Sequence, residues 1–355
     1  MTPDTTSPDN SLYMRKCELV CAAVVAVLLG PLVRPVGAQT FESIGVRAQG
    51  MAGAFVAVAN DATASWWNPA GLATGPYVSA VFEHGQITEP KSPPLEGPSS
   101  RTTSNEFAAS FPSLGLSYYR LRVSEVAGPA STGETPDNRQ DPATGGSRVR
   151  SIAISQFAST VGQSLGQHFV LGTTGKLMHA GLASGVATGS DRLDEADDLD
   201  VDRDIHGDID VGAMASFGHV RLGLTVRNLF EPDFGDEGSV NRFQLKRQAR
   251  AGFAWLSVPH VPLQGFTIAA DADLTTTTTV MGDVRHVAAG AEWWFANGRL
   301  GLRAGGSANT IGEARESGSV GASAALTKAF HINVSATAGR DETVKGWSTG
   351  VSLVF

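Results

Sequence analysis

From residue 77 onward, apolar side chains recur at every second position, in segments separated by Gly, Pro, Asn and Asp. Between 220 and 230, Val220, Leu222, Leu224 and Val226 alternate with Arg221, Gly223, Thr225 and Arg227. Phe266, Ile268, Ala270 and Ala272 alternate with Thr267, Ala269, Asp271 and Asp273. Ile209, Val211, Ala213, Ala215 and Phe217 oppose Asp208, Asp210, Gly212, Met214 and Ser216. Near the end, Ile332, Val334, Ala336 and Ala338 alternate with His331, Asn333, Ser335 and Thr337. Successive side chains of a strand point to opposite faces, so each segment predicts one apolar face and one polar or small face.

The pattern places strands near 77–84, 105–111, 114–123, 148–159, 168–179, 207–217, 219–229, 248–256, 264–274, 285–295, 299–308, 318–327, 330–339 and 345–355. A soluble sandwich would turn the apolar faces inward, and a membrane barrel would turn them to lipid. Length favours the barrel. Most of these segments match the roughly 9–11 residues of a tilted spanning strand rather than the about 5–6 usual in globular sheets. Connections also alternate, long at 85–104, 124–147, 180–206 and 230–247, short at 112–113, 160–167, 218 and 257–263. Long loops on one side and short turns on the other is the layout of bacterial outer-membrane barrels. The expected fold is therefore all-β, a 14-stranded antiparallel transmembrane barrel, with a last strand ending in Trp347, Thr349, Val351, Leu353 and Phe355 on one face.

The N-terminus reads as an address. Arg15 and Lys16 precede an apolar stretch from Leu19 to Leu29, and Val36-Gly37-Ala38 supplies a small-x-small cleavage pattern. This predicts a signal peptide over residues 1–38, with Met1 and Met14 both available as starts. Cys17 and Cys21 both leave with it, so no disulfide is expected in the exported chain. A net charge of −8 over 355 residues, with a pI near 5.5, argues against a nucleic-acid surface. No series of long apolar runs suggests a helical membrane bundle.

Residues 39–76 differ in kind from the barrel expected over 77–355. They are rich in Gly and Ala, and Asn68-Pro69 marks a turn. Such a piece suits the inside of a barrel wall better than its lipid face. The run Gly45-x-Arg47-Ala48-x-Gly50-Met51-x-Gly53-Ala54-Phe55-Val56-Ala57-Val58-Ala59-Asn60-Asp61-Ala62, followed by Trp67-Asn68-Pro69-Ala70-Gly71-Leu72, resembles the N-terminal signature of FadL-like outer-membrane proteins. It is most similar to the branch with PorV-like and TraF-like barrels. Ala52 stands where relatives often carry Gly, and Asn60 where Asp is common. The resemblance implies a 14-stranded barrel with a lumenal N-terminal hatch. Gly45, Arg47, Gly50, Gly53, Asp61, Asn68, Pro69 and Ala70 would serve that hatch. It also implies passive transport of hydrophobic small molecules or lipids across the bacterial outer membrane. The alternative is a PorV-like barrel that binds exported proteins or a secretion assembly.

Little else in the chain suggests chemistry. Asp198, Asp200 and Asp202 alternate as calcium ligands do, but Arg203 stands where such a loop needs Gly, so the segment 191–210 reads as a solvated loop. The eight histidines form no zinc motif, and no serine sits in a GxSxG elbow. No enzyme activity, metal or cofactor is expected. Trp255, Trp293, Trp294 and Trp347 read as interfacial girdle residues, and Thr275 to Thr279 as a polar loop.

Overall fold

The computed structural model describes residues 44–89, 99–129, 146–189, 191–239, 241–259, 263–279, 282–340 and 344–355. The expected signal peptide lies outside the described residues, as does most of the 124–147 connection. In chain order the strands are β1 (Ser79–Glu89), β2 (Ser99–Phe111), β3 (Leu114–Pro129), β4 (Ser147–Leu165), β5 (Phe169–Ala187), β6 (Asp204–Phe217) and β7 (Val220–Arg227). They continue as β8 (Asp233–Phe234), β9 (Phe243–Gln244), β10 (Gln248–Leu256), β11 (Gly265–Asp273), β12 (Thr277–Thr279) and β13 (Gly282–Val284). The last are β14 (His286–Phe295), β15 (Leu300–Asn309), β16 (Ser317–Ala325), β17 (Phe330–Gly339) and β18 (Lys345–Val354). Among the described residues fourteen of these close a single antiparallel barrel, and the small pairs β8–β9 and β12–β13 stand apart as hairpins. β1 closes on β18 with Ser79 opposite Val354. Phe355 and Val78 then exchange backbone hydrogen bonds of 2.9 and 3.2 Å. Closure leaves no open sheet edge, the condition for a sheet to stand in lipid.

The alternation sets which way each face points. Phe82, Phe107, Phe157, Leu222, Ile268, Leu302, Val334 and Trp347 are exposed on the outer face. That apolar belt is what a membrane-spanning barrel presents to hydrocarbon. Trp293 is 53% exposed and joins it, but Trp294 is 6% exposed and faces the lumen. Neighbours in one strand point to opposite sides, so both tryptophans cannot belong to the girdle.

The first six strands are taller than the sequence pattern predicts. β4 and β5 each run 19 residues, nearly twice what a bilayer crossing requires. Much of the expected loops at 85–104 and 180–206 is therefore strand. The reason lies outside the wall. Helix α3 (Arg192–Asp197) and the segment after it fold back over the outer face of β3, β4 and β5. Val126, Val149 and Ala187 pack with Ala196, and Ala153 and Ala183 pack with Val201. Here the outer face carries small residues such as Ala153 and Ala183 while Ile152 and Leu182 face inward, so the apolar-out alternation of the membrane belt does not continue and the extension was invisible in it. The acidic segment 191–210 is thus not a free solvated loop. Asp197 accepts from Arg101 at 2.8 Å, from Ser124 through its carboxylate and from Arg122 through its carbonyl. Thr277–Thr279 likewise is not loop but pairs with Gly282–Val284.

Candidate functional site

The site is built where the described N-terminal residues meet the inner wall. Helices α1 (Val46–Gly50) and α2 (Ala64–Trp67) and a 3-10 turn, Pro69–Thr74, are short and almost wholly buried. None has the length to be stable by itself, so contact with the wall must hold them. That contact reaches strands all round the barrel.

Glycine makes the approach possible. A Cβ on Gly290 would lie 2.6 Å from the Met51 carbonyl oxygen, and one on Gly223 would lie 2.7 Å from that of Val56. Inward glycines thus let two backbones touch, which accounts for glycines inside otherwise regular strands. At Gly45 (φ +91°) and Gly53 (φ +84°) the chain adopts the left-handed region that glycine tolerates. Ala52, at φ +55°, holds the same region with a side chain. The departure from Gly noted in the sequence therefore falls at a position whose backbone suits Gly.

Charged side chains fasten the segment. Arg47 donates twice to Glu292, Nε to Oε1 at 2.7 Å and Nη2 to Oε2 at 2.6 Å. Its Nη1 donates to Asn60 at 2.6 Å and to Asp61 at 3.0 Å. Arg303 shares the Glu292 carboxylate at 2.6 Å and donates to Ser323 at 2.7 Å. One buried carboxylate thus bridges two guanidiniums, which is the arrangement that makes buried charge tolerable. Glu83 accepts from the Val46 amide at 2.6 Å, and Asp271 accepts from the amides of Phe55 and Val56, both at 2.8 Å.

The Asn-Pro-Ala element fastens the other end. Asn68 is extended (φ −160°), as a residue before proline should be. Its amide donates to the carbonyls of Val56 at 3.0 Å and Ala213 at 3.2 Å, and its Oδ1 accepts from Ala70 at 3.1 Å. Pro69 lies against the inward faces of Gly172 and Gly212. Trp66 sits between the Tyr119 ring, 5.0 Å away, and the Arg227 guanidinium, 3.4 Å away. Ser65 and Tyr119 share a 2.6 Å hydrogen bond.

Of the sequence-predicted residues, Arg47 and Asp61 meet directly, and Asn68, Pro69 and Ala70 form one turn. Gly45, Gly50 and Gly53 act through their backbones, Gly50 lying flat on Gly321. Sequence reasoning missed the wall partners Glu83, Asp271 and Glu292 as site residues. Their signal was present, as acids at inward positions of β1, β11 and β14.

Toward the long-loop end, a cavity of 80 Å³ lies above Gln49 and Gly53, bordered by Ser100, Arg315, Ser317 and Thr337. No cluster suited to a metal ion occurs among the described residues. The chemistry of the arrangement is fastening: a segment held in a lumen by bonds that a displacement would have to break.

A family model described as F plasmid transfer operon, TraF, protein matches residues 109–273. No curated protein matches the sequence. Among solved structures, the Ralstonia pickettii toluene transporter TbuX superposes with a TM-score of 0.60 at 12% identity, covering 89% of this chain and 99% of that one. This chain shares its fold. The CymD monoaromatic hydrocarbon channel gives 0.59 at 12% identity, with 90% and 99% covered. A Pseudomonas aeruginosa FadL homologue gives 0.52 at 10% identity, with 91% and 99% covered.

Proposed function

We propose that the chain is a bacterial outer-membrane channel, FadL-like in plan, that passes hydrophobic small molecules without chemical conversion. One observation carries this reading: a closed fourteen-stranded barrel whose lumen is crossed by its own N-terminal residues, in the fold of proteins described as toluene transporters and monoaromatic hydrocarbon channels. Residues 39–76 are the hatch, and residues 1–38 the export signal. The outer leaflet of lipopolysaccharide resists apolar solutes, so a wall that offers them an apolar way past it has a use. Because Arg47, Asp271 and Asn68 tie the hatch to several strands, passage requires part of it to move.

The test is uptake by outer-membrane-like vesicles holding the protein. Toluene should enter faster than into empty vesicles, while a sugar should not. Equal toluene rates with and without protein would overturn the reading.

A second reading rests on the tall β3–β5 wall and the α3 strap on its outer side, which offer a rigid surface beyond the bilayer. In it the barrel is PorV-like and receives exported proteins. A stoichiometric protein recovered with it from native membranes, with no toluene uptake, would favour this reading over the channel.

A further inference from the structure

Above the N-terminal segment the lumen has two unlike halves. On the side of β1, β2 and β15 to β17 the inner wall is hydroxyl-rich, and the 80 Å³ cavity opens there. On the side of β4 and β5 the inner wall is apolar above the buried Lys176–Asp210 pair, with Ile152, Ile154, Met178, Ala180 and Leu182 all buried. That apolar half is not open. The connection after β7 turns inward and places the β8–β9 hairpin against β5 and β6.

The hairpin presents two rings. Phe234 and Phe243 are stacked, 5.1 Å between centroids and 18° between planes, and Phe234 meets the edge of His206 at 4.9 Å. Phe234, Phe243 and Leu245 are all buried in the same cluster as the β5 side chains. The polar ties to the wall gather at the base of the connection, where the Leu229 amide donates to the Ile209 carbonyl at 3.0 Å and the Phe230 amide to Asp208 at 2.9 Å, and are fewer at the hairpin itself. The Gly235 amide donates to Asp204 at 2.8 Å, while Arg242–Asp233 and Leu245–Pro232 are bonds within the hairpin's own arms. An element of two-residue strands has no stability of its own. The wall therefore holds it chiefly by accepting two flat apolar rings.

A surface that accepts a stacked pair of rings from its own chain will accept a free ring of the same kind. We infer that the inner wall of β5 from Met178 to Leu182 is a binding site for a flat apolar ring, and that the β8–β9 hairpin fills it with Phe234 and Phe243 until a ligand displaces them. This deepens the channel reading and rests on it for the biological use of the site. The hairpin keeps the empty site dry and lowers the apparent affinity by the fraction of time it is open.

The experiment measures toluene bound to the full-length protein in lipid nanodiscs, by headspace depletion against empty nanodiscs. The Phe234→Ala/Phe243→Ala double variant vacates the site, and should bind toluene at least about tenfold tighter than the natural chain. Equal or weaker binding by a variant that still shows heat-modifiable migration overturns the inference. Should the double variant not assemble, the natural chain decides. Toluene should speed hydrogen exchange at the Gly235 and Leu245 amides, and unchanged exchange at saturating toluene overturns the inference. Vesicle uptake reads the other claim separately. Tighter binding without uptake would sink the channel and leave the site, whereas uptake with unaltered hairpin exchange would do the reverse.

Discussion

Two segments occupy the lumen, and they are held in opposite ways. The N-terminal segment is fastened by buried charge: Arg47 to Glu292, Phe55 and Val56 to Asp271, and Val46 to Glu83. The β8–β9 hairpin is held by two stacked rings and an amide bond to the wall, Gly235 to Asp204. Charge-assisted bonds are directional and leave a costly orphan when one partner withdraws. Apolar contact is non-directional and is replaced by any ligand of similar shape. The difference assigns an order to opening, with the hairpin yielding first and the N-terminal segment only to a larger driving force.

The sharpest way to break this contrast is Glu292→Ala. It strands Arg47 and Arg303 together in a buried site, and losing one partner of a buried pair costs about 3–5 kcal/mol. The backbone ladder does not depend on Glu292, so the barrel should still assemble. Its urea midpoint should fall and exchange at residues 46–61 should rise. A midpoint unchanged to within about 1 kcal/mol would mean that the network does not fasten the segment.

The barrel was legible in the sequence because lipid imposes a rule on every second residue. All fourteen wall strands follow from the alternation, since Phe82 or Leu222 must face hydrocarbon wherever the wall crosses it. The rule lapses above the bilayer, where α3 covers Ala153 and Ala183 and the large apolar residues, Ile152 and Leu182, turn inward. There the strand ends were read as loop. The N-terminal site was legible as a motif, and Arg47, Asp61 and Asn68 do make bonds that position it. Its partners were not, because an inward acid such as Glu292 sits 245 residues from Arg47 and only closure of the barrel brings them together. The hairpin was hidden for another reason: Phe234 and Phe243 belong to strands too short to show any period.

The α3 strap gives a control of intermediate effect, since it lies outside the wall and its ion pairs are partly exposed. Asp194 accepts from Arg101 at 2.6 Å, and that bond holds its carboxyl below the ordinary value of 3.8. A depressed carboxyl stabilises the docked form fully above the ordinary value and loses that contribution as pH falls through the lowered one. Acidification through that window should release α3, seen as faster proteolysis at 191–203. The N-terminal segment, held also by the Asn68 bond to Ala213 and by backbone contact with Gly223 and Gly290, should stay in place over the same window. Simultaneous release of both segments would erase the distinction between exposed and buried fastening.

The smallest effect tests the backbone of the N-terminal segment apart from its charges. Ala52 sits at φ +55°, where a Cβ costs about 1 kcal/mol relative to glycine. Ala52→Gly removes that cost but frees the unfolded chain, which offsets about 0.4–1 kcal/mol. The expected net change is a gain of no more than about 1 kcal/mol, read from the urea midpoint. Ala52→Val should move the midpoint the other way, because a β-branched side chain is worse still in that region. Ala52 borders the 80 Å³ cavity, so the added methyl groups have space and the loss reports backbone strain rather than a clash. Equal midpoints for the glycine and valine variants would mean that the turn after α1 stores no strain, and that the charges alone decide how firmly the segment is held.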